Sequence, residues 1–168
     1  ATRSAGTAPS LTCAAGSVVF DWDSQAWTAG STSNSYSLTG IGSFNFAITN
    51  PGSFLNLAIL GGQSPARQNA ATGGLPSAEY SLAQLVDLAN TSQVVTTTIS
   101  LGTAAQGAQF RIFDVDYGAS QFADKVTVTG YLNGVAVYPT LTNGVSNYVI
   151  GNSAFGDGTS ADTSANGN

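Results

Sequence analysis

Three of the chain's nine acidic residues and its only lysine fall in one short stretch, QFRIFDVDYGASQFADKV (109–126). Charged side chains are only 8% of the 168 residues, so the gathering of Asp114, Asp116, Asp124 and Lys125 needs a reason. Grouped carboxylates suit a hard cation, which takes several oxygen ligands. The three aspartates, helped by backbone carbonyls of YGASQF (117–122), are therefore candidate metal ligands for Ca2+. Their spacing fits no EF-hand loop. The alternative is structural: Asp114 pairs with Arg111 or Lys125, while Asp116 and Asp124 cap the turn through bonds to their own backbone. Lys125, at the start of a strand, reads as a solvent-facing side chain; the other reading is an amide bond to an Asn or Asp.

A second candidate is FDWDSQAW (20–27), which sets Trp22 and Trp27 around a turn. Aromatic faces pack on sugar C–H groups, which makes Trp27 a candidate glycan-stacking residue. The competing reading has Trp22 filling the core and Trp27 lying over the end of the sheet. Catalysis has little to work with. The chain contains no His, one Cys and one Lys, so Ser-His and Cys-His nucleophile systems cannot be assembled. A carboxylate pair for a glycosidase remains available in Asp21 with Asp23 or Asp114 with Asp116, since residues two apart on a strand share a face about 7 Å apart. Nothing else in the sequence supports an enzyme.

These residues must be held by strands, because period-two alternation with β-branched and aromatic side chains runs through most of the chain. SVVFDW (17–22) reads as a first strand. SYSLTGIGSFNFAIT (35–49) reads as two strands around Gly40-Ile41-Gly42, with Tyr36 and Leu38 on one face of the first and Phe44, Phe46 and Ile48 on one face of the second. FLNLAIL (54–60) follows a Pro-Gly turn. GGQSPARQNAATGGLPS (61–77) reads as a long surface loop, and AEYSLAQLVDLAN (78–90) leans towards strand. QVVTTTISL (93–101) and AQFRIFDVDY (108–117) read as strands, the second apolar on both faces like a central strand. DKVTVTGYLNGVAVYPTL (124–141) predicts a hairpin whose Asn133-Gly134 supplies the positive φ angles of a type I′ turn. NYVI (147–150) is the last strand expected. The residues after it, 151–168, are rich in Gly, Ser, Asn and Asp and read as a tail or loop.

About nine short strands separated by turn signals predict an all-β domain, a β-sandwich of jelly-roll type. The expected organisation is an extended N-terminal segment (1–16), the sandwich (17–150) and the tail (151–168). The length suits one domain able to bury a core without crosslinks. Cys13, the only cysteine, rules out an internal disulfide and reads as a small apolar residue or a cross-link to another chain. Four scattered basic residues and a net charge of −5 exclude nucleic acid and anionic membrane surfaces as ligands. No apolar run is long enough to span a bilayer, and ATRSAGTAPS lacks a leader pattern, so an exported chain is expected to have lost its signal already.

Three stretches together, LTCAAGSVVFDWDSQAWTAGSTSNSYSLTGIG, FRIFDVDYGASQFADKVTVTGYLNG and PTLTNGVSNYVIGNSAFGDGTSADTSANGN, carry a resemblance over nearly the whole chain. It is similar to a family of β-sandwich modules in large secreted or surface-anchored bacterial proteins. The spacing from Phe-Asp-x-Asp to Asp-Lys-Val-Thr-Val is the most specific part. The resemblance implies an extracellular or cell-surface location and a structural or adhesive role without catalysis. Similar modules continue beyond an SANGN-like loop into two more strands, whereas this sequence ends at Asn168. An open sheet edge would then be left, which a strand from another molecule can fill. The segment TAPSLTCAAG (7–16) is the expected donor, giving head-to-tail self-association. The competing expectation is a calcium-dependent carbohydrate-binding module with Trp27, Asp114 and Asp116 near its site.

Overall fold

The computed structural model describes residues 16–49, 52–76, 79–144 and 146–158. The chain is all-β. Among the described residues the only helical element is a single 3-10 turn, Ala58–Leu60. Contacts divide the chain into two compact units. One is built within Cys13–Ala71 and Ser77–Ala108 and is called here the aromatic unit; the other, within Thr72–Pro76 and Gln109–Asn168, is the hairpin unit. The segment expected to donate a strand (7–16) lies, apart from Gly16, outside the described residues, as do Cys13 and the residues after 158.

The aromatic unit is organised by two strands that the alternation predicted. β1 (Ser33–Leu38) and β2 (Gly42–Ile48) pair antiparallel across the Thr39–Ile41 turn. Burial alternates along β1, with Asn34, Tyr36 and Leu38 the half-buried set, and β2 buries Phe46 and Ile48. Pleating puts every second side chain on one face, so Phe44, Phe46 and Ile48 form one apolar row. Of the apolar side chains in 17–22, Phe20 and Trp22 reach the core while Val18 and Val19 stay exposed, and no strand forms. This segment is irregular, and Phe20 packs its ring on Phe44 (4.5 Å, 16° between planes) and edge-on to Trp22 and Tyr36. Its extended run ends at Asp21, whose carbonyl accepts the Ser24 N–H at 3.1 Å and whose Oδ1 accepts the Asp23 N–H at 2.9 Å. An Asx turn replaces the predicted strand pairing.

The expected long loop at 61–77 holds two short strands in its first half. β3 (Asn56–Leu57) pairs with β4 (Gly62–Gln63), and β5 (Ala66–Gln68) pairs with β6 (Ser81–Ala83). Burial of so polar a stretch is tolerated because its polar groups are satisfied. Gln68, 3% exposed, donates to the Ala71 carbonyl and Ser81 Oγ and accepts the Ala71 N–H. Phe54 bridges Val86, and β7 (Thr97–Leu101) completes the sheet order β1-β2-β7.

In the hairpin unit, AQFRIFDVDY does not run as one central strand. Asp114 takes a left-handed φ of 65°, which breaks an extended backbone, and Phe110 is 55% exposed. Phe113 makes a lone bridge, and the first strand is β8 (Tyr117–Gly118), joined to β9 (Phe122–Ala123) by a turn in which the Gly118 carbonyl accepts the Gln121 N–H and Ser120 has φ 61°. β10 (Lys125–Thr127) follows. β11 (Gly130–Leu132) and β12 (Val135–Val137) form the predicted hairpin, and Asn133 (φ 51°) and Gly134 (φ 80°) take the expected positive angles.

The region read as a tail contains a strand. β13 (Asn147–Ile150) turns through Gly151-Asn152 into β14 (Ser153–Gly156), which pairs with both β13 and β10 and so lies at the centre of the order β10-β14-β13. Gly151 at φ 60° meets the need of a II′ turn for a positive angle at its first central residue. Pairing on both sides outweighs the weak β-propensity of Ser-Ala-Phe-Gly.

Candidate cation and glycan sites

The aspartates of the opening motif meet where three strands converge. The Asp124 N–H donates to the Asp116 carbonyl at 2.9 Å, and the Asp124 carbonyl accepts the Gly156 N–H at 3.0 Å. Asp124 thus links the β8–β9 hairpin to β14 through its backbone. Its side chain also contributes, since Oδ2 accepts the Asp116 N–H at 3.4 Å. This side-chain bond crosses between strands, rather than closing a local turn as the structural reading expected.

Gly156 is required by the same crossing. A Cβ there would overlap the carbonyl group of Asp116. Asp114 is exposed, Asp124 half-buried, and Asp116 only 3% exposed. Burial pushes the Asp124 carboxyl up to about 6, and the neighbouring Asp116 and Asp114 charges push the same way, against a backbone hydrogen bond from Asp116. The Asp116 and Asp114 charges are thus felt at the Asp124 carboxyl. Lys125 is exposed, and its Nζ lies 5.3 Å from the Phe155 ring centroid.

A tighter acidic group was not evident in the sequence. The carboxylate oxygens of Asp21, Asp23 and Glu79 all lie within 4.8 Å of one another, the one such group of three among the described residues. All three side chains are exposed. The Asx turn replaces the two-apart strand spacing expected for Asp21 and Asp23, and Asp23 Oδ1 accepts the Tyr80 N–H at 2.8 Å, which brings Glu79 alongside. Arg67 fixes the opposite side of the turn. Its Nε and Nη2 donate to the Trp22 and Asp23 carbonyls at 2.7 and 3.0 Å, and its guanidinium carbon lies 3.5 Å from the Tyr80 ring centroid. No local sequence pattern announces Glu79, because the link runs through a tertiary backbone bond. In chemical terms, three oxygen donors at this spacing suit a hard divalent cation.

Trp27 is half-buried in the aromatic core. Its ring is edge-on to Trp22 (6.1 Å, 70°) and Phe46 (5.8 Å, 88°), and Nε1 donates to the Pro65 carbonyl at 3.2 Å. On the hairpin unit Tyr148 and Phe155, cross-strand partners on β13 and β14, stack at 5.4 Å. No family model, curated protein or solved structure matches this chain.

Proposed function

We propose that this chain is a non-catalytic structural and adhesive β-sandwich module of the bacterial cell exterior, acting through packing and self-association. The observation that supports this reading is the β11–β12 hairpin. Tyr131, Leu132, Val135, Val137 and Tyr138 are 72, 49, 67, 46 and 69% exposed. Contiguous exposed apolar surface of this kind marks an interaction site, and unpaired strand edges offer main-chain hydrogen bonds to any incoming strand. A second copy of the chain is the partner that fits. There is no charged residue between Lys125 and Asp157, although the chain carries −5 overall, so two copies meeting through their hairpins bring no like charges together.

Sedimentation over a range of concentrations tests this. The wild-type chain is expected to associate, and a Tyr131→Lys/Val135→Lys variant to stay monomeric with unchanged circular dichroism. A wild-type chain that remains monomeric at all concentrations overturns the reading.

A second reading, calcium-dependent carbohydrate binding, is favoured by the Asp116 and Asp114 charges acting on the half-buried Asp124 carboxyl, which a divalent cation there would offset. Retention on a glycan array, abolished by a chelator, supports it; a melting temperature indifferent to both calcium and chelator removes it.

A further inference from the structure

Of the three Asn-Gly steps in the sequence, Asn133-Gly134 and Asn143-Gly144 lie among the described residues, and their surroundings are opposite. An asparagine followed by glycine can cyclise: the glycine nitrogen loses its proton and attacks the asparagine side-chain carbonyl carbon, a new N–Cγ bond forms, the Cγ–NH2 bond breaks and ammonia leaves. Water then opens the succinimide to aspartate or isoaspartate. The step needs an accessible backbone N–H and a backbone free to rotate.

Asn143-Gly144 has neither. The Gly144 N–H donates to Oδ1 of Asn147 at 3.1 Å, Asn147 is fully buried, and the Asn143 side chain donates to the Gly144 carbonyl at 3.2 Å. Asn133-Gly134 occupies the exposed tip of β11–β12, a two-stranded sheet of its own. Among the described residues no hydrogen bond holds the Asn133 carboxamide or the Gly134 N–H. A lone hairpin is marginal in water and opens locally, so its turn samples the angles that cyclisation needs.

We infer that Asn133 is a self-modification site of the folded protein, deamidating through a succinimide with Gly134, while Asn143 is protected. The consequence, which rests on the self-association reading, is that the product places a negative charge within a hairpin that otherwise has none. Burying that charge between two copies is unfavourable, so ageing weakens association.

The test is to age the intact chain at mildly alkaline pH and follow the peptides containing Asn133 and Asn143 by mass spectrometry, reading the replacement of NH2 by OH and the isoaspartate fraction. Asn133 is expected to react about tenfold faster or more, the factor corresponding to one hydrogen bond's restraint on the slower site. In denaturant the two rates should converge. Equal rates in the folded chain, a faster Asn143, or a difference that persists in denaturant overturns the inference. The readout is chemical and, taken on chain dilute enough to be monomeric, stands or falls separately from self-association. Comparing sedimentation of fresh and aged chain, with Asn133→Asp as the reference, then measures the consequence: equal association of fresh chain, aged chain and variant refutes the ageing effect.

Discussion

The two acidic groups of this chain are built in opposite ways. Around Asp124, carboxylates are drawn inward by backbone crossings: Asp116 is buried, Asp124 half-buried, and the strands are tied by main-chain bonds from Asp124 to Asp116 and from Gly156 to Asp124. Around Asp23 the carboxylates gather within 4.8 Å of one another yet open to solvent, on a turn that Arg67 and the Tyr80 N–H hold in place. Proximity alone therefore does not decide how strongly carboxylates affect one another. Water screens the exposed group, while burial and partial desolvation make the looser one the electrostatically expensive site.

The sharpest way to break the buried arrangement is Gly156→Ala. The added Cβ meets backbone at Asp116, which cannot swing aside as a flexible side chain would. A loss of about 3 kcal/mol or more is expected, as for severe overpacking. Gly134→Ala provides the contrast: nothing lies within 4 Å of a Cβ there and only the φ of 80° opposes it, so about 1 kcal/mol is expected. Denaturant melts that rank the two equally would mean the crossing at Asp116 is not rigid.

The exposed group is broken next most strongly through its scaffold. Arg67→Ala removes two hydrogen bonds to carbonyls and the Tyr80 ring contact, a loss of about 2 kcal/mol. Arg67→Lys should recover only part of it, because an ammonium cannot reproduce the planar fork that reaches both carbonyls. Full rescue by lysine, measured by chemical denaturation, would show that charge rather than geometry matters there.

Asp124 separates the two groups by pH. Its folded pKa of about 6 lies above the ordinary 3.8, so between those values the folded state binds the proton more readily than the unfolded state. Its contribution to stability is therefore greatest below about 4 and is lost as pH rises through 6. For a group this exposed to solvent the effect is about 1 kcal/mol after screening. Asp124→Asn should flatten that part of the stability profile relative to wild type. Calcium bound at this site would lower the pKa and remove the same slope, so profiles with and without calcium locate a bound ion.

How far the sequence foretold this depended on whether the signal was local. Alternation around Gly40-Ile41-Gly42 and the Asn133-Gly134 turn specify β1, β2, β11 and β12 because the pattern and the turn chemistry agree within a few residues. β14 was obscured by its Ser-Ala-Phe-Gly composition, although Gly151-Asn152 is itself a hairpin signal. The buried polar run at β5 relies on Gln68 partners supplied from 71 and 81. The left-handed Asp114 interrupts a stretch whose apolar residues all suit a strand. In the sites, Asp116 and Asp124 stood out by spacing. Glu79 did not, because it is carried to Asp23 by a tertiary backbone bond.

The smallest effect is the most discriminating. Glu79→Gln changes an exposed side chain whose carboxylate lies with two others in solvent. Without a divalent cation, the variant should lie within about 0.5 kcal/mol of wild type, as exposed charges generally do. With calcium present, any stabilisation held by this group should disappear in Glu79→Gln and survive in Asp124→Asn; stabilisation held by the buried group should show the reverse. Three exposed oxygens are freely accessible but weakly desolvated, whereas the half-buried Asp124 carboxyl sits beside the Asp116 and Asp114 charges and gains more from each unit of positive charge. Calcium titration of melting temperature in the two variants therefore asks whether accessibility or relief of repulsion decides where a cation binds. A shift that both variants keep in full would assign it to neither group.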